Sequence, residues 1–407
     1  MDKVAIVKVL EKPSDEEVCR AVRQAVEMIG GPSAFAARGD TVLIKPNWWW
    51  KRCYLPRETR SDAYSTTDRR MVTAAARMFS ELGCRVRIGE DPECFLRVEE
   101  VFDSFDAAEL AAAAGSELIN MRRRGYRTVS TKGKLFTTMR ILNDALEADL
   151  IVNLPLIKTN FLTTITCCLK NMKGVLPPAE KRAFHQRGLS QAIADLATVI
   201  RPRLNIVEGI VGSDIWDIEN GLKGVGCIVA GDNPLSTDAV VARIMDYNPA
   251  EIEHLALAYE LGVGQLALDK IQVLGASVEE VRTPFTKIPD ILTLVEQNPH
   301  VKLVQGEVCS ACLGAIGMAF VQIGSERFRN GPPIAIVTGP GAKPLPDHLN
   351  IFVGQCARPA YEKTGKQGLY VSDCPPTAAS TRYAFQYALR ELLKQEYYWD
   401  HVKLAED

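Results

Sequence analysis

The chain has 407 residues, 47% of them hydrophobic and 24% charged, with a formal net charge of −2. That length points to two domains, and the composition to ordinary globular packing rather than to disorder or a fibre. Acids and bases are interspersed, leaving no basic face to neutralise a phosphate backbone, so nucleic acid is not an expected partner.

The start, MDKVAIVKVL, has an acid after Met1 and a short apolar run broken by lysine, which reads as a strand and not as a signal peptide. The run ACLGAIGMAFVQIG (311–324) is too short to span a bilayer. The expected location is therefore the cytosol, where thiols stay reduced. Short β-branched runs then alternate with helical patterns, the signature of an α/β protein, here with two domains that are each a mainly parallel sheet flanked by helices, joined by right-handed crossovers. Strands are predicted at 3–10, 41–47, 85–90, 149–155, 204–210, 227–231 and 269–275, helices at 14–29 and 68–82, and a hairpin at 126–141. Pro234 and Pro249 sit where first-turn prolines of helices belong. A Pro-containing segment, 284–300, marks a boundary between a domain at 1–290 and one at 291–407. The second series has strands at 301–308, 334–339, 350–355 and 368–373 and helices at 311–323 and 377–395.

Four of the eleven cysteines follow strands of this second series. Cys309 and Cys312 follow the first strand, Cys356 follows NIFVGQ, and Cys374 follows GLYVSD. With the strands parallel, the four thiols converge on the carboxyl-end edge of one sheet, where open α/β sheets bind ligands. In a reducing compartment a Cys-x-x-Cys is a metal or redox site before it is a structural disulfide. One close pair and two thiols from distant loops favour a [4Fe–4S] cubane over tetrahedral zinc, which prefers two close pairs. Unliganded buried thiols are the remaining alternative.

CSAC, GQC and DCPPT in this order resemble the cluster-binding segments of hydrogenase small subunits and the related complex I subunit. That resemblance implies a flavodoxin-like second domain; Asp373, where the pattern has Gly, is a departure from it. Residues 40–275 resemble a different group, the "domain of unknown function 362" family, which is often linked to iron–sulfur proteins. This rests on VLIKPN (42–47), STTD (65–68), IVNLPLIKTN (151–160), LKNMKGVLPP (169–178), His185 and AGDNPLSTDAV (230–240). The family has no generally assigned reaction.

Read without the resemblance, Lys45, Asn47, Lys158, Thr159, Asn160, Lys170, Asn171 and Lys173 lie at or just beyond the ends of apolar strands or an apolar helix. Ammonium and amide donors gathered at a sheet edge suit a small anion, a carboxylate or a phosphate. A solvated strand end is the bland reading of each lysine alone. His185 is a candidate acid or base, or a surface loop residue. Asp232 and Asn233 precede Pro234 and read as helix caps, while an inward Asp238 would need a partner, for which one of the lysines is the candidate. Trp48, Trp49 and Trp50 are adjacent and cannot all face one way, so at least one meets solvent, ligand or the other domain. Cys167 and Cys168 read as core.

The expectation is a two-domain α/β iron–sulfur protein that passes electrons from a [4Fe–4S] cluster on Cys309, Cys312, Cys356 and Cys374 to a small anionic substrate. Lys158, Lys170 and His185 are its candidate catalytic residues, and Lys45, Asn47, Thr159 and Asn171 its candidate substrate-binding ones. A redox partner protein is possible, and no membrane span is expected. The alternatives are a non-catalytic electron-transfer or cofactor-delivery protein, and a non-redox isomerase with a structural metal. No Gly-x-Gly-x-x-Gly follows a strand, so a nucleotide is not implied. Substrate, electron donor and oligomeric state stay open.

Overall fold

A computed structural model describes residues 1–10, 12–49, 66–93, 96–214, 221–287, 291–324, 328 and 333–389. Trp50, Cys53, Ser65, Cys94 and the predicted helical residues 390–395 lie outside the described residues. The chain divides into two compact units, Met1–Thr286 and Lys287–Asp407.

Unit 1 contains β1 (Asp2–Lys8), β2 (Thr41–Pro46), β3 (Arg85–Gly89), β4 (Glu117–Ile119), β5 (Tyr126–Ser130), β6 (Thr138–Leu142), β7 (Leu150–Leu154), β8 (Leu156–Asn160), β9 (Thr164–Thr166), β10 (Leu204–Ser213), β11 (Leu222–Gly231) and β12 (Ile271–Gly275). The main sheet runs β12-β1-β11-β10-β7-β2-β3-β4, with β8 joined to β10 and β9 to β8. Pairing is parallel along this path except at β11, which is antiparallel to both β1 and β10. The sheet is thus mainly parallel, as expected, with the 227–231 strand as the exception. Its physical reason is the connection: too few residues separate Ser213 from Leu222 for a crossover, so the two strands form a hairpin. The predicted hairpin at 126–141 is present as β5 and β6, but the hairpin β8–β9 was not foreseen.

The period of two is visible in β1, where Val4 and Ile6 join one hydrophobic core and Ala5 and Val7 the other. The sheet thus has a core on each face, covered by helices. Helix Asp15–Met28 shows why these covers form. Ser14 and Glu17 make a reciprocal capping box, and Val18, Ala21, Val22, Ala25 and Val26 give a buried stripe at helical spacing. A cap of this kind contributes about 1 kcal/mol.

Unit 2 holds a parallel sheet, β13 (Val301–Gln305), β14 (Ile334–Thr338), β15 (Leu349–Val353) and β16 (Leu369–Val371), in sequence order. Among the described residues it lacks the reversal of strand order that a flavodoxin-like sheet has at its switch point. Helices Ser310–Ile323 and Ala378–Tyr387 pack together through Phe320 and Phe385, whose ring centroids are 5.3 Å apart. No described helix is long and apolar enough to cross a membrane.

Candidate functional site

In unit 1 the carboxyl ends of β2, β3 and β8 and the short helix Cys168–Asn171 surround a cavity of about 200 Å³. Its lining includes Lys45, Asn47, Trp49, Glu90, Asp91, Glu93, Lys158, Asn160, Lys170, Asn171, Lys173, Lys181 and His185. The three lysines expected to share an anion site do share one cavity. Five lysines and three carboxylates line it, a surplus of two positive charges when all are ionised.

Lys45 lies at the floor. Its ammonium donates to Glu90 Oε2 at 2.6 Å, to the Pro46 carbonyl at 2.6 Å and to Asn171 Oδ1 at 3.1 Å. An ammonium has three N–H groups, so Lys45 has none left for a ligand. Burial pushes the Lys45 ammonium down and the Glu90 carboxyl up, and their mutual attraction opposes both shifts. Glu90 also accepts from the backbone N–H of Trp48 and of Asp91. Asp91 is held by Arg122 at 2.6 and 2.9 Å and by Lys181. Asn171 donates to Asn153 Oδ1 at 2.8 Å, which ties the helix to β7. Together these residues form a rigid charged base rather than a set of loose donors.

The upper part of the cavity differs. Strand alternation puts Lys158 and Asn160 on the cavity face of β8, and Thr159 between them turns away to donate to Asp214 Oδ1 at 3.2 Å. Thr159, expected to bind substrate, faces a buried carboxylate instead. The Lys158 ammonium lies 4.8 Å from the centroid of the Trp49 ring. Burial lowers its pKa to about 7, against the raising effect of Glu93 and Glu90. Lys170 is shifted well down, first by burial and then by the charges of Lys173 and Lys158. Its solvent exposure is intermediate, and it lines the cavity. No hydrogen bond or ion pair to the Lys170 ammonium is found among the described residues.

His185 is on helix Pro178–Arg187, not in a surface loop, and its Nε2 lies 2.8 Å from Lys173 Nζ. Burial, then Lys173 and Lys170, holds its pKa well below the usual histidine value. It is thus a neutral imidazole that accepts from the lysine through Nε2. Asn47 reaches the cavity, with its backbone N–H fixed by Thr67 Oγ1 at 2.8 Å.

Of the tryptophans, Trp48 is core, stacked on Phe105 at 4.7 Å, and Trp49 lines the cavity. Asp232 accepts the Lys3 N–H, and Asn233 caps helix Pro234–Ile244. Asp238 does point inward, but its partners are the backbone N–H groups of Cys168 and Leu169, at 2.7 and 3.0 Å, and not a lysine. It anchors the start of the helix that carries Lys170 and Asn171. Cys167 and Cys168 are core as expected, with sulfurs 3.8 Å apart. With Asp238 they put three potential metal-ligating atoms within 4.8 Å of one another. Burial pushes the Cys167 thiol up to about 12 and raises Cys168 as well.

The residues that sequence reasoning missed are Glu90, Asp91, Glu93 and Lys181. The first three follow β3 in GEDPE, and an acidic run just past a buried strand was the available signal.

In unit 2 the four cysteines lie at the carboxyl-end edge of the sheet. Cys309 precedes helix Ser310–Ile323, and its sulfur lies 3.9 Å from that of Cys312. Hydrogen bonding from Cys312 and from first-turn backbone N–H groups lowers Cys309 to about 6 and correspondingly raises Cys312. Gly354, two residues before Cys356, is so close to Cys312 that a Cβ on it would lie 2.8 Å from the sulfur. Gln355 N donates to Asp373 O at 3.2 Å, which places the neighbours of Cys356 and Cys374 side by side. This donor set, three loops bringing thiols to one edge with one already ionisable near neutrality, fits a thiolate-ligated group.

The chain is 26% identical over 283 residues to a thylakoid-associated protein of Synechocystis sp., covering 68% of this chain and 84% of that one. Among solved structures, a Thermotoga maritima protein aligns with a TM-score of 0.42 and 10% identity, covering 94% of this chain and 84% of that one. The lactate racemase apoprotein from Thermoanaerobacterium thermosaccharolyticum aligns with a TM-score of 0.39 and 11% identity, covering 96% and 90%. Residues 42–243 match the family model described as a domain of unknown function, DUF362.

Proposed function

We propose that unit 1 binds a small carboxylate- or phosphate-bearing substrate in the lysine cavity, and that the protein is an iron–sulfur reductase of that substrate. The observation that carries this reading is the gathering of Lys158, Lys170 and Lys173 around one cavity, with no hydrogen bond or ion pair to the Lys170 amine among the described residues. Lys170, whose charge burial and its lysine neighbours disfavour, takes the anionic group of the substrate, and that anion in turn favours its protonated form. Lys158, with a pKa of about 7, gives or takes a proton at its Nζ. The neutral His185 holds Lys173 in place, and the Lys45–Glu90–Asn171 base fixes the positions of the rest. Trp49 excludes water from the Lys158 side. Cys309, Cys312, Cys356 and Cys374 would hold the [4Fe–4S] cluster, which supplies electrons one at a time. A cytosolic redox partner would recharge it.

The test is anaerobic purification with iron and sulfide analysis, an absorption spectrum before and after dithionite, and calorimetry with small carboxylates and inorganic phosphate. About four iron and four sulfide per chain, with anion binding that Lys170→Met abolishes, is the expected result. Stoichiometric zinc, or no anion binding, sinks the reading.

A second reading, a proton-transferring isomerase without electron transfer, is favoured by the near-neutral Lys158 alone. Solvent deuterium entering a bound carbon acid without any reductant would select it.

A further inference from the structure

The lysines supply the charge of the cavity, and the β8–β9 hairpin supplies two neutral polar groups to the same space. We propose that Asn160 and Thr166 bind a neutral oxygen of the substrate, a hydroxyl or a carbonyl beside its anionic group. This rests on the anion site proposed above and narrows its ligand to small hydroxy or oxo acids. It does not depend on which lysine carries the charge.

Both residues line the cavity. Thr166 is 4% exposed, and its hydroxyl has no hydrogen-bond partner among the described residues. Ser213 carries the other described hydroxyl left in that state, and it does not line the cavity. A buried hydroxyl without a partner bears an uncompensated desolvation cost, which a ligand oxygen would relieve. Asn160 is set for the same task from the facing strand. Its Oδ1 accepts from the backbone N–H of Leu162 at 3.0 Å and of Thr163 at 3.2 Å. Of an amide only the oxygen accepts N–H bonds, so the flip is fixed and the NH2 end is the one left over. No hydrogen bond from Asn160 Nδ2 is found among the described residues.

Strand register holds the two side chains near each other. Thr166 on β9 pairs with Lys158 on β8, and Thr164 pairs with Asn160, so Thr166 and Asn160 are diagonal neighbours on one face. Such neighbours lie roughly 7–8 Å apart, within reach of one bridging ligand group. The hairpin holds Thr164 at φ 64°, in the left-handed region that a β-branched residue rarely adopts. An outlier of this kind persists only where its surroundings over-determine it, and the bonds of Asn160 to the turn help to do so. The amide of Asn160 donates, and the hydroxyl of Thr166 donates or accepts. A ligand oxygen with two lone pairs serves both. A plain alkyl acid leaves both unsatisfied, the condition under which a polar site rejects an analogue.

The experiment is calorimetry on the whole protein with inorganic phosphate and with acid pairs that differ in one oxygen function, acetate with glycolate and propionate with pyruvate. The wild type should bind glycolate or pyruvate roughly three- to tenfold more tightly than its parent acid, the effect of one hydrogen bond. Thr166→Val, of nearly the same shape, should erase that preference and leave the affinity for the parent acid unchanged. Because the hydroxyl has no partner to lose, the melting temperature of this variant should be unchanged or higher. Thr166→Ser, which keeps the hydroxyl, should keep the preference. A lower melting temperature for Thr166→Val would show that the hydroxyl has a structural partner and overturns the assignment. Equal affinities within both pairs in the wild type overturn the neutral-oxygen reading and leave the anion site standing. Equal weakening of every ligand by Thr166→Val, phosphate included, makes Thr166 part of the anion site itself and overturns that reading too. No binding of any acid or of phosphate overturns the anion site, and this inference with it.

Discussion

The ammonium of Lys45 and the carboxylate of Glu90 meet at 2.6 Å with essentially no exposure, 0% and 2%. Such a pair gains stability only while both partners and their extra hydrogen bonds are present. Glu90→Gln should therefore cost about 3–5 kcal/mol, measured by denaturant titration. Replacing both together, with Lys45→Met and Glu90→Leu, should recover most of that loss. A cost below about 1 kcal/mol for the single change would show that the buried charge is compensated elsewhere.

Gly174 presses against the same pair. A Cβ there would lie 2.0 Å from Glu90 Oε1 and 2.4 Å from Lys45 Cε. Space alone forbids a side chain. Gly174→Ala should destabilise by about 1–3 kcal/mol or more and weaken anion binding, because the floor of the cavity must move. Unchanged melting and unchanged calorimetry would refute this.

Lys158 should leave a mark on the pH dependence of stability. Unfolded, it keeps its proton up to the ordinary value of 10.5; folded, it releases it at about 7. Between these values the unfolded chain binds more protons, so this residue makes stability rise with pH. Below about 7 the cost of burying the ammonium is carried in full and changes no further. Relative to Lys158→Met, the wild type should gain up to about 1.4 kcal/mol per pH unit across that window. Parallel curves for the two proteins would contradict the shift.

The cysteines of unit 2 offer a spectroscopic prediction. Cys356→Ser and Cys374→Ser should each lose most of the iron and the visible absorbance of the anaerobic protein. Cys84→Ser, in the turn after helix Arg69–Glu81, should keep both. Equal iron in all three variants would remove these thiols as ligands.

How much of this was legible depends on the range of each cause. The strands at 41–47 and 149–155 could be read because continuous apolar runs ending in polar residues are local signals. Those ends carry Lys45, Lys158 and Lys170, which line one cavity. Thr159 was misplaced although strand parity sets it on the face opposite Lys158 and Asn160. The partners of Asp238 were not legible. They are backbone N–H groups at 168 and 169, brought near by tertiary packing, and no side-chain pattern announces them. Glu90 was hidden for a similar reason, since an acid after a strand is ordinary until a buried lysine faces it. The antiparallel pairing of β10 and β11 was not legible from their apolar runs, which carry no direction; the short connection between them was the usable clue.

The placement of β1 has a consequence for how unit 1 is made. This strand, synthesised before the other strands of unit 1, pairs with β11 at residues 227–231 and with β12 at 271–275. At about 5–20 residues per second, it waits on the order of ten to fifty seconds for its second partner. Through that interval VAIV exposes unpaired backbone and an apolar face, the features that invite pairing with another chain. Nascent chains stalled before residue 271 should therefore bind chaperones or aggregate. Those released after 275 should close their sheet and become resistant to protease.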